Sequence, residues 1–214
     1  TLTTNEVFSD EEAEQKYKAW GVEIVDGHHP ANLLNRADLI VKNPGIPYSI
    51  PFLTEAEERK IPIVTEVEIA HHLSEAPIYA LTGTNGKTTC THLLGEMLEH
   101  NGSSPVLCGN IGYPATAAAM EATADDTLLM ELSSFQLMGI KEFRPNIAVI
   151  TNIYEAHLDY HGSVEEYVHA KLEIFKNITA DDLLIFNKKQ ASMLEALDIK
   201  CRIQYFDADS KADA

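Results

Sequence analysis

A chain of 214 residues, 45% of them hydrophobic, has ample material for a core and room for one or two domains. Its 33 acidic residues against 16 basic ones give a formal charge of -17, which argues against a nucleic-acid surface, because that requires clustered Lys and Arg. An anionic small ligand stays open, since one lysine and a few backbone N–H groups can hold a phosphate.

No apolar run approaches a membrane span, and Thr1–Ser9 has neither a basic nor an apolar leader segment, so a soluble, cytoplasmic protein is expected. Cys90, Cys108 and Cys201 are too far apart for a zinc knuckle and odd in number, which fits reduced thiols.

In chain order, helix-like "DEEAEQKYKAW" (10–20) precedes strand-like "VEIVD" (22–26). "NLLNRA" (32–37) leads to "LIVKN" (39–43), and "FLTEAEERK" (52–60) leads to "IPIVTE" (61–66). A second series has longer, greasier strands: "IYALTG", "PVLCGN", "TLLMELSS", "IAVITNI", "DLLIFN" and "RIQYF". Short β-branched runs between helical segments predict parallel strands with crossover helices. The clearest helix is "SVEEYVHAKLEIFKNI" (163–178), where Ser163 is a cap and Glu166 completes a capping box. The expected fold is α/β, with a small unit over residues 1–65 and a mostly parallel one over 66–214, because phosphate chemistry appears only after the boundary. The first unit reads as starting on a helix, so a Rossmann-like sheet there lacks its opening strand. The far end, "FDADSKADA", stops in polar residues directly after a strand, as a complete domain or a fragment would.

"ALTGTNGKTTCTHLLGEML" (80–98) is the most informative stretch. A tight turn after a buried strand lets N–H groups converge on phosphate oxygens, and the following helix aims its positive end at the same point. Gly83 and Gly86 allow close approach, Lys87 supplies a mobile cation, and Thr88 is the Mg²⁺ ligand candidate. Leu81 stands where the general phosphate-loop pattern has its first glycine, so only the GK[ST] half of that pattern is met.

"DTLLMELSS" runs apolar residues into Glu131 at the carboxyl end of an expected parallel strand, where open α/β sheets bind ligands. A carboxylate there can hold the other side of a nucleotide-bound Mg²⁺. "NIAVITNIYEAHLDYHG" repeats the design with His157 and Asp159 in the loop after the strand. The pairs His28–His29 and His71–His72 are assigned no role. From the residues alone, Lys171 in "YVHAKLEIF" reads as a surface lysine with its stem along the helix.

Together these stretches resemble the Mur ligase family of ATP-dependent amide-forming enzymes of peptidoglycan precursor synthesis. "TGTNGKTT" is similar to the family's variant phosphate loop, and "GNIGYPA", "ELSSFQL" and "HLDYHGSVEEYVHAK" follow in the family's order. "ELSSFQL" resembles the D-glutamate-adding branch, and "VKNPGIP" (41–47) the uridine-contacting loop of the first domain.

The resemblance implies a partial Rossmann-like UDP-binding domain followed by a P-loop ATPase central domain, without the family's C-terminal domain. It implies ATP and phosphate contacts at Gly83, Thr84, Asn85, Gly86, Lys87, Thr88 and Thr89. Two Mg²⁺ ions are implied, one on Thr88 and Glu131, the other on His157 and a carbamylated Lys171. Lys87, Asn110, His157 and Lys171 are the implied catalytic residues, with Asn110 and Ser133 facing substrate. Where members often carry Asp before the metal histidine, this chain has Ala156.

The implied partners are ATP, UDP-N-acetylmuramoyl-L-alanine and D-glutamate, with no nucleic acid or membrane and a monomeric state. In the implied reaction the muramoyl-linked carboxylate attacks the γ-phosphate, and the amine of D-glutamate then takes the acyl phosphate. Rival expectations are a folylpolyglutamate synthase-like ligase, which "ELSSFQL" counts against, and a non-catalytic nucleotide-binding module.

Overall fold

The computed structural model describes residues 1–207, so most of the polar end "FDADSKADA" lies outside the described residues. The chain forms two compact units: Thr1–Ile40 with Ile46–Ile63, and Val41–Gly45 with the chain from Val64 onward.

The first unit carries strands of only two residues. β1 (Leu2–Thr3) pairs in parallel with β2 (Ile24–Val25). This corrects the expectation that the chain opens on a helix: Leu2–Thr3 is too short for any periodicity to reveal, and it is a strand only because the backbone of β2 is beside it. Between them, α1 (Glu11–Ala19) is capped by the Asp10 carboxylate, which accepts from Ala13 N at 2.9 Å. Glu11, Glu12 and Glu14 open the helix and Lys16 and Lys18 close it, the arrangement that the helix dipole favours. The stretch expected as a helix at 32–37 is a 3-10 turn, Ala31–Asn35. Then follow β3 (Ile40–Val41), α2 (Pro51–Glu58) and β4 (Ile63–Val64). Leu34, Leu53, Ala56 and Ile63 form the small core of this unit.

The second unit begins with α3 (Glu66–Leu73) and is organised by six strands: β5 (Ile78–Thr82), β6 (Ser104–Gly109), β7 (Asp126–Glu131), β8 (Ile147–Ile150), β9 (Leu183–Asn187) and β10 (Arg202–Phe206). They form one sheet in the order β10-β9-β8-β5-β7-β6, and every ladder is parallel. The expected mostly parallel α/β fold is therefore present. Continuous apolar strands suit a sheet covered on both faces, and Ala80, Leu81, Leu128, Leu129 and Met130 are all buried.

The connecting helices are α4 (Lys87–His100), α5 (Ala115–Glu121), α6 (Ser134–Leu137), α7 (Leu158–His161) and α8 (Val164–Leu172). Of these α4 packs on β5, β6 and β7, and α5 on α3. The expected helix over 163–178 is shorter, because after Leu172 the chain tightens into a 3-10 turn, Glu173–Phe175, that buries Ile174 and Phe175. Ser163 caps α8 by accepting from Glu166 N at 3.1 Å, which is one half of the expected box. The complete capping box lies on α6, between Ser133 and Gln136.

Strand order sets the position of the site. From β5 the chain crosses to β6 and back to β7 on one side, then passes to β8, β9 and β10 on the other. β5 and β8 are thus neighbours at the point where the winding reverses, and crevices for ligands form outside the carboxyl ends of strands at such points.

Candidate active site

The loop after β5 is held by the loop after β8. Thr84 N donates to Asn152 O at 2.8 Å and Asn85 N to Asn152 Oδ1 at 2.9 Å. Asn152 Nδ2 and Thr151 Oγ1 both donate to Asn85 O, at 3.0 and 2.8 Å. The Thr84 hydroxyl donates to Tyr154 O and accepts from Tyr154 N, at 3.1 and 2.9 Å. It also lies 3.0 Å from the hydroxyl of Tyr167 on α8.

Only glycine fits at position 83, where φ is +154° and a Cβ would come within 2.0 Å of Thr151 Oγ1. Gly86 caps α4, and the first N–H groups of a helix have no intrahelical acceptor. Lys87 folds back over the loop, with Nζ donating to Gly83 O and Thr84 O at 3.0 and 3.2 Å. Thr88 and Thr89 are exposed in the first turn.

Glu131 ends β7, and only 1% of it is exposed. Asn110 binds it twice, donating from N to Glu131 O at 2.8 Å and from Nδ2 to Glu131 Oε1 at 3.0 Å. This approach also needs a glycine, because at Gly109 (φ +94°) a Cβ would lie 2.4 Å from Glu131 O. Glu131 Oε2 is buried with no hydrogen-bond partner. An acceptor-only oxygen left so inside a protein costs free energy unless a cation or donor meets it.

The surface-lysine reading of Lys171 is overturned. Lys171 is 2% exposed, with Nζ donating to Thr82 Oγ1 at 3.3 Å and lying 5.0 Å from the Tyr167 ring centre. Its position on the inner face of α8 beside Tyr167 and Ala170 leaves no path to solvent for the stem. Burial pushes its ammonium well below the ordinary value, to about 7; the Lys87 charge adds to this and Glu131 partly offsets it. Lys171 thus lies within the field of both the Lys87 and the Glu131 charge.

His157 is exposed in the left-handed region, at φ +54°, and its ring contacts Phe135 and Tyr167. The Ser133 hydroxyl is engaged locally, accepting from Gln136 N at 3.3 Å and donating to Gln136 Oε1 at 3.0 Å. The sequence reading missed His161, which is 8% exposed and stacks on Phe135. Its Nε2 is 2.9 Å from Ser134 Oγ, and its buried Nδ1 has no partner. It also missed Asn152, although a polar residue just past a buried strand is the signal that singled out Glu131.

Among the described residues no cluster of three or more His, Cys, Asp or Glu side chains could hold a metal unaided. Mg²⁺ does not need one, because it commonly takes one or two protein oxygens and completes its shell with phosphates and water. The unpaired Glu131 Oε2 is a donor of that kind, and the residues fit such an ion.

Sheet order and loop define a parallel α/β domain of the phosphate-loop class. The family model for the Mur ligase middle domain matches residues 81–214, and the chain belongs to the Mur ligase family. It is 50% identical over 213 residues to the UDP-N-acetylmuramoylalanine–D-glutamate ligase of Macrococcus caseolyticus, covering 100% of this chain and 48% of that protein. With the enzyme of the same name from Staphylococcus carnosus it shares 53% identity over 193 residues, covering 90% of this chain and 43% of that protein. The chain thus spans about half the length of these curated relatives or less.

Among solved structures, the UDP-N-acetylmuramate:L-alanyl-γ-D-glutamyl-meso-diaminopimelate ligase of Neisseria meningitides matches with a TM-score of 0.57 at 17% identity, over 95% of this chain and 68% of that one. The MurF ligase of Thermotoga maritima, solved with ADP, matches with a TM-score of 0.56 at 19% identity, over 82% of this chain and 48% of that one. At these identities both speak for the fold. Among the described residues no helix is long and apolar enough to cross a membrane.

Proposed function

We propose that this chain serves an ATP-dependent ligase that joins D-glutamate to UDP-N-acetylmuramoyl-L-alanine in peptidoglycan precursor synthesis. The observation that carries the reading is geometric: the Lys87 loop follows β5, the unpaired oxygen of Glu131 ends the neighbouring strand β7, and the buried Lys171 bonds Thr82 at the end of β5. The relatives' identity supports the choice of D-glutamate as acceptor. In this reading residues 1–65 serve the uridine end of the substrate and residues 66–214 serve the nucleotide.

The free amides at the head of α4 and the Lys87 ammonium hold the β- and γ-phosphates of ATP. The substrate carboxylate attacks the γ-phosphorus and ADP leaves; the amine of D-glutamate then attacks the acyl carbon, releasing phosphate and a proton. Glu131 and Thr88 would hold one Mg²⁺, and His157 with Lys171 a second. These ions would supply charge neutralisation between two anionic reactants.

A lysine whose ammonium titrates near 7 is substantially a neutral amine at neutral pH. Such an amine adds to CO₂, and the resulting carbamate is an oxygen donor of the kind Mg²⁺ prefers. Asn110 holds Glu131 in place.

The test is phosphate release from ATP by the protein at the full length its gene encodes, with UDP-N-acetylmuramoyl-L-alanine present and D-glutamate added or withheld. Release that depends on both, with a UDP-muramoyl-dipeptide product, is expected. Release without regard to D-glutamate, or none, would end this reading.

A further inference from the structure

We infer that Asn152 is a positioning residue for the phosphate loop, fixing which of its amides are left to meet a nucleotide. The inference rests on the nucleotide reading of that loop. The Asn152 side chain satisfies both backbone groups of Asn85, its Oδ1 accepting from Asn85 N and its Nδ2 donating to Asn85 O, at 2.9 and 3.0 Å. Its carbonyl takes the next amide upstream, from Thr84 at 2.8 Å. The amides of Thr84 and Asn85 are therefore occupied, and those from Gly86 onward, together with Lys87, are left for phosphate oxygens.

Asn152 is itself held. Gln190 brackets the following residue, accepting from Ile153 N at 2.9 Å and donating to Ile153 O at 2.6 Å. The chain of contacts runs from the turn after β9, through the loop after β8, into the loop after β5. No other residue type of this size does the same. Aspartate has no donor and would set a second oxygen against the Asn85 carbonyl. Alanine leaves both groups of Asn85 without this partner.

The experiment is calorimetry of the chain with Mg²⁺–ADP and with AMP, on the wild type, Asn152→Ala, Asn152→Asp and Gln190→Ala, each checked for folding by its melting transition. Two lost hydrogen bonds of about 1 kcal/mol each correspond to roughly ten- to hundredfold weaker ADP binding in Asn152→Ala. Asn152→Asp should weaken ADP at least as much, and Gln190→Ala less, while AMP, which lacks the phosphates the loop grips, changes less than about twofold. Loss of hydrogen-exchange protection at the Asn85 amide in Asn152→Ala should accompany it without any ligand, while the Thr84 amide, bonded to the backbone carbonyl of residue 152, stays protected. Equal weakening of ADP and AMP would mark a general structural effect and overturn the inference, as would unaltered ADP affinity in the folded variants. A wild type that binds no ADP overturns the nucleotide reading and this inference together, whereas a wild type that binds it beside equally competent variants overturns this inference alone.

Discussion

The phosphate loop and the buried charges beside it are built on opposite plans. In the loop after β5, the amide and hydroxyl of Thr84 and both backbone groups of Asn85 are bonded into the loop after β8. Around the end of β7 and along α7 and α8, Glu131 Oε2 and His161 Nδ1 are buried with no partner, and Lys171 is buried at a cost that shows in its lowered pKa. The first region is complete as it stands and holds its shape. The second keeps a carboxylate oxygen and an imidazole nitrogen buried without protein partners. A preformed clamp beside an electrostatically unfinished pocket is what binding of a phosphate–metal complex asks for, since orientation is settled beforehand and the incoming cation relieves the buried carboxylate.

The largest expected effect comes from breaking the clamp. Lys87→Ala removes the one mobile cation of the loop together with its bonds to Gly83 O and Thr84 O. Charge-assisted bonds are worth about 1.5–3 kcal/mol each, so Mg²⁺–ATP affinity should fall about a hundredfold by calorimetry.

Glu131→Gln sharpens the contrast from the other side. Removing a buried charge with an unpaired oxygen should leave thermal stability equal or higher, while the gain in nucleotide affinity on adding Mg²⁺ drops about tenfold, a change of roughly 1.4 kcal/mol. If stability falls and the Mg²⁺ effect stays, the carboxylate is structural and the contrast is wrong.

The third expectation concerns pH. Lys171 titrates at about 7 and Lys42 at about 8 in the folded chain, both lowered by burial from 10.5. Between those values and 10.5 the unfolded chain binds more protons than the folded one, so stability rises with pH from about 7. His161, also lowered by burial, extends the rise on the acid side. Cys108 acts in reverse: burial lifts its thiol from 9.0 to about 12, so above 9 the unfolded chain loses a proton that the folded one keeps. Urea denaturation in CO₂-free buffer should therefore show stability climbing from about pH 7 and the climb slowing above 9 as Cys108 opposes the two lysines, and Lys171→Met should flatten that climb.

The smallest effect tests the capped start of α8, at the far end of that helix from Lys171. Ser163→Ala deletes the α8 cap and should cost about 1 kcal/mol of stability, with nucleotide affinity unaltered.

Much of this could be read before any coordinates. The six strands of the large sheet were legible because strands buried on both faces are unbroken apolar runs, and Glu131 because it interrupts one at its carboxyl end. The glycine–lysine–threonine turn needed only its place between strand and helix. Other features depend on tertiary neighbours. Lys171 looks like a surface lysine until Tyr167 and Thr82 surround it. β1 is two residues that pair only because β2 is beside them. Asn152 gains its role from Asn85, 67 residues earlier in the chain, and no local pattern announces a side chain that completes another segment's backbone. Glu166 stands where a capping box calls for it, yet the complete box forms at Ser133 and Gln136.

The claim at the centre of this account is that the unpaired oxygen of Glu131 and the phosphate loop serve one bound metal–nucleotide complex. Crystals of the protein grown with Mn²⁺ and ADP, measured at the manganese absorption edge, test it most directly. An anomalous peak is expected between the Glu131 carboxylate, the Thr88 hydroxyl and the β-phosphate. Nucleotide density at Gly86–Thr88 with the manganese elsewhere, or with Glu131 still unpaired, would contradict it.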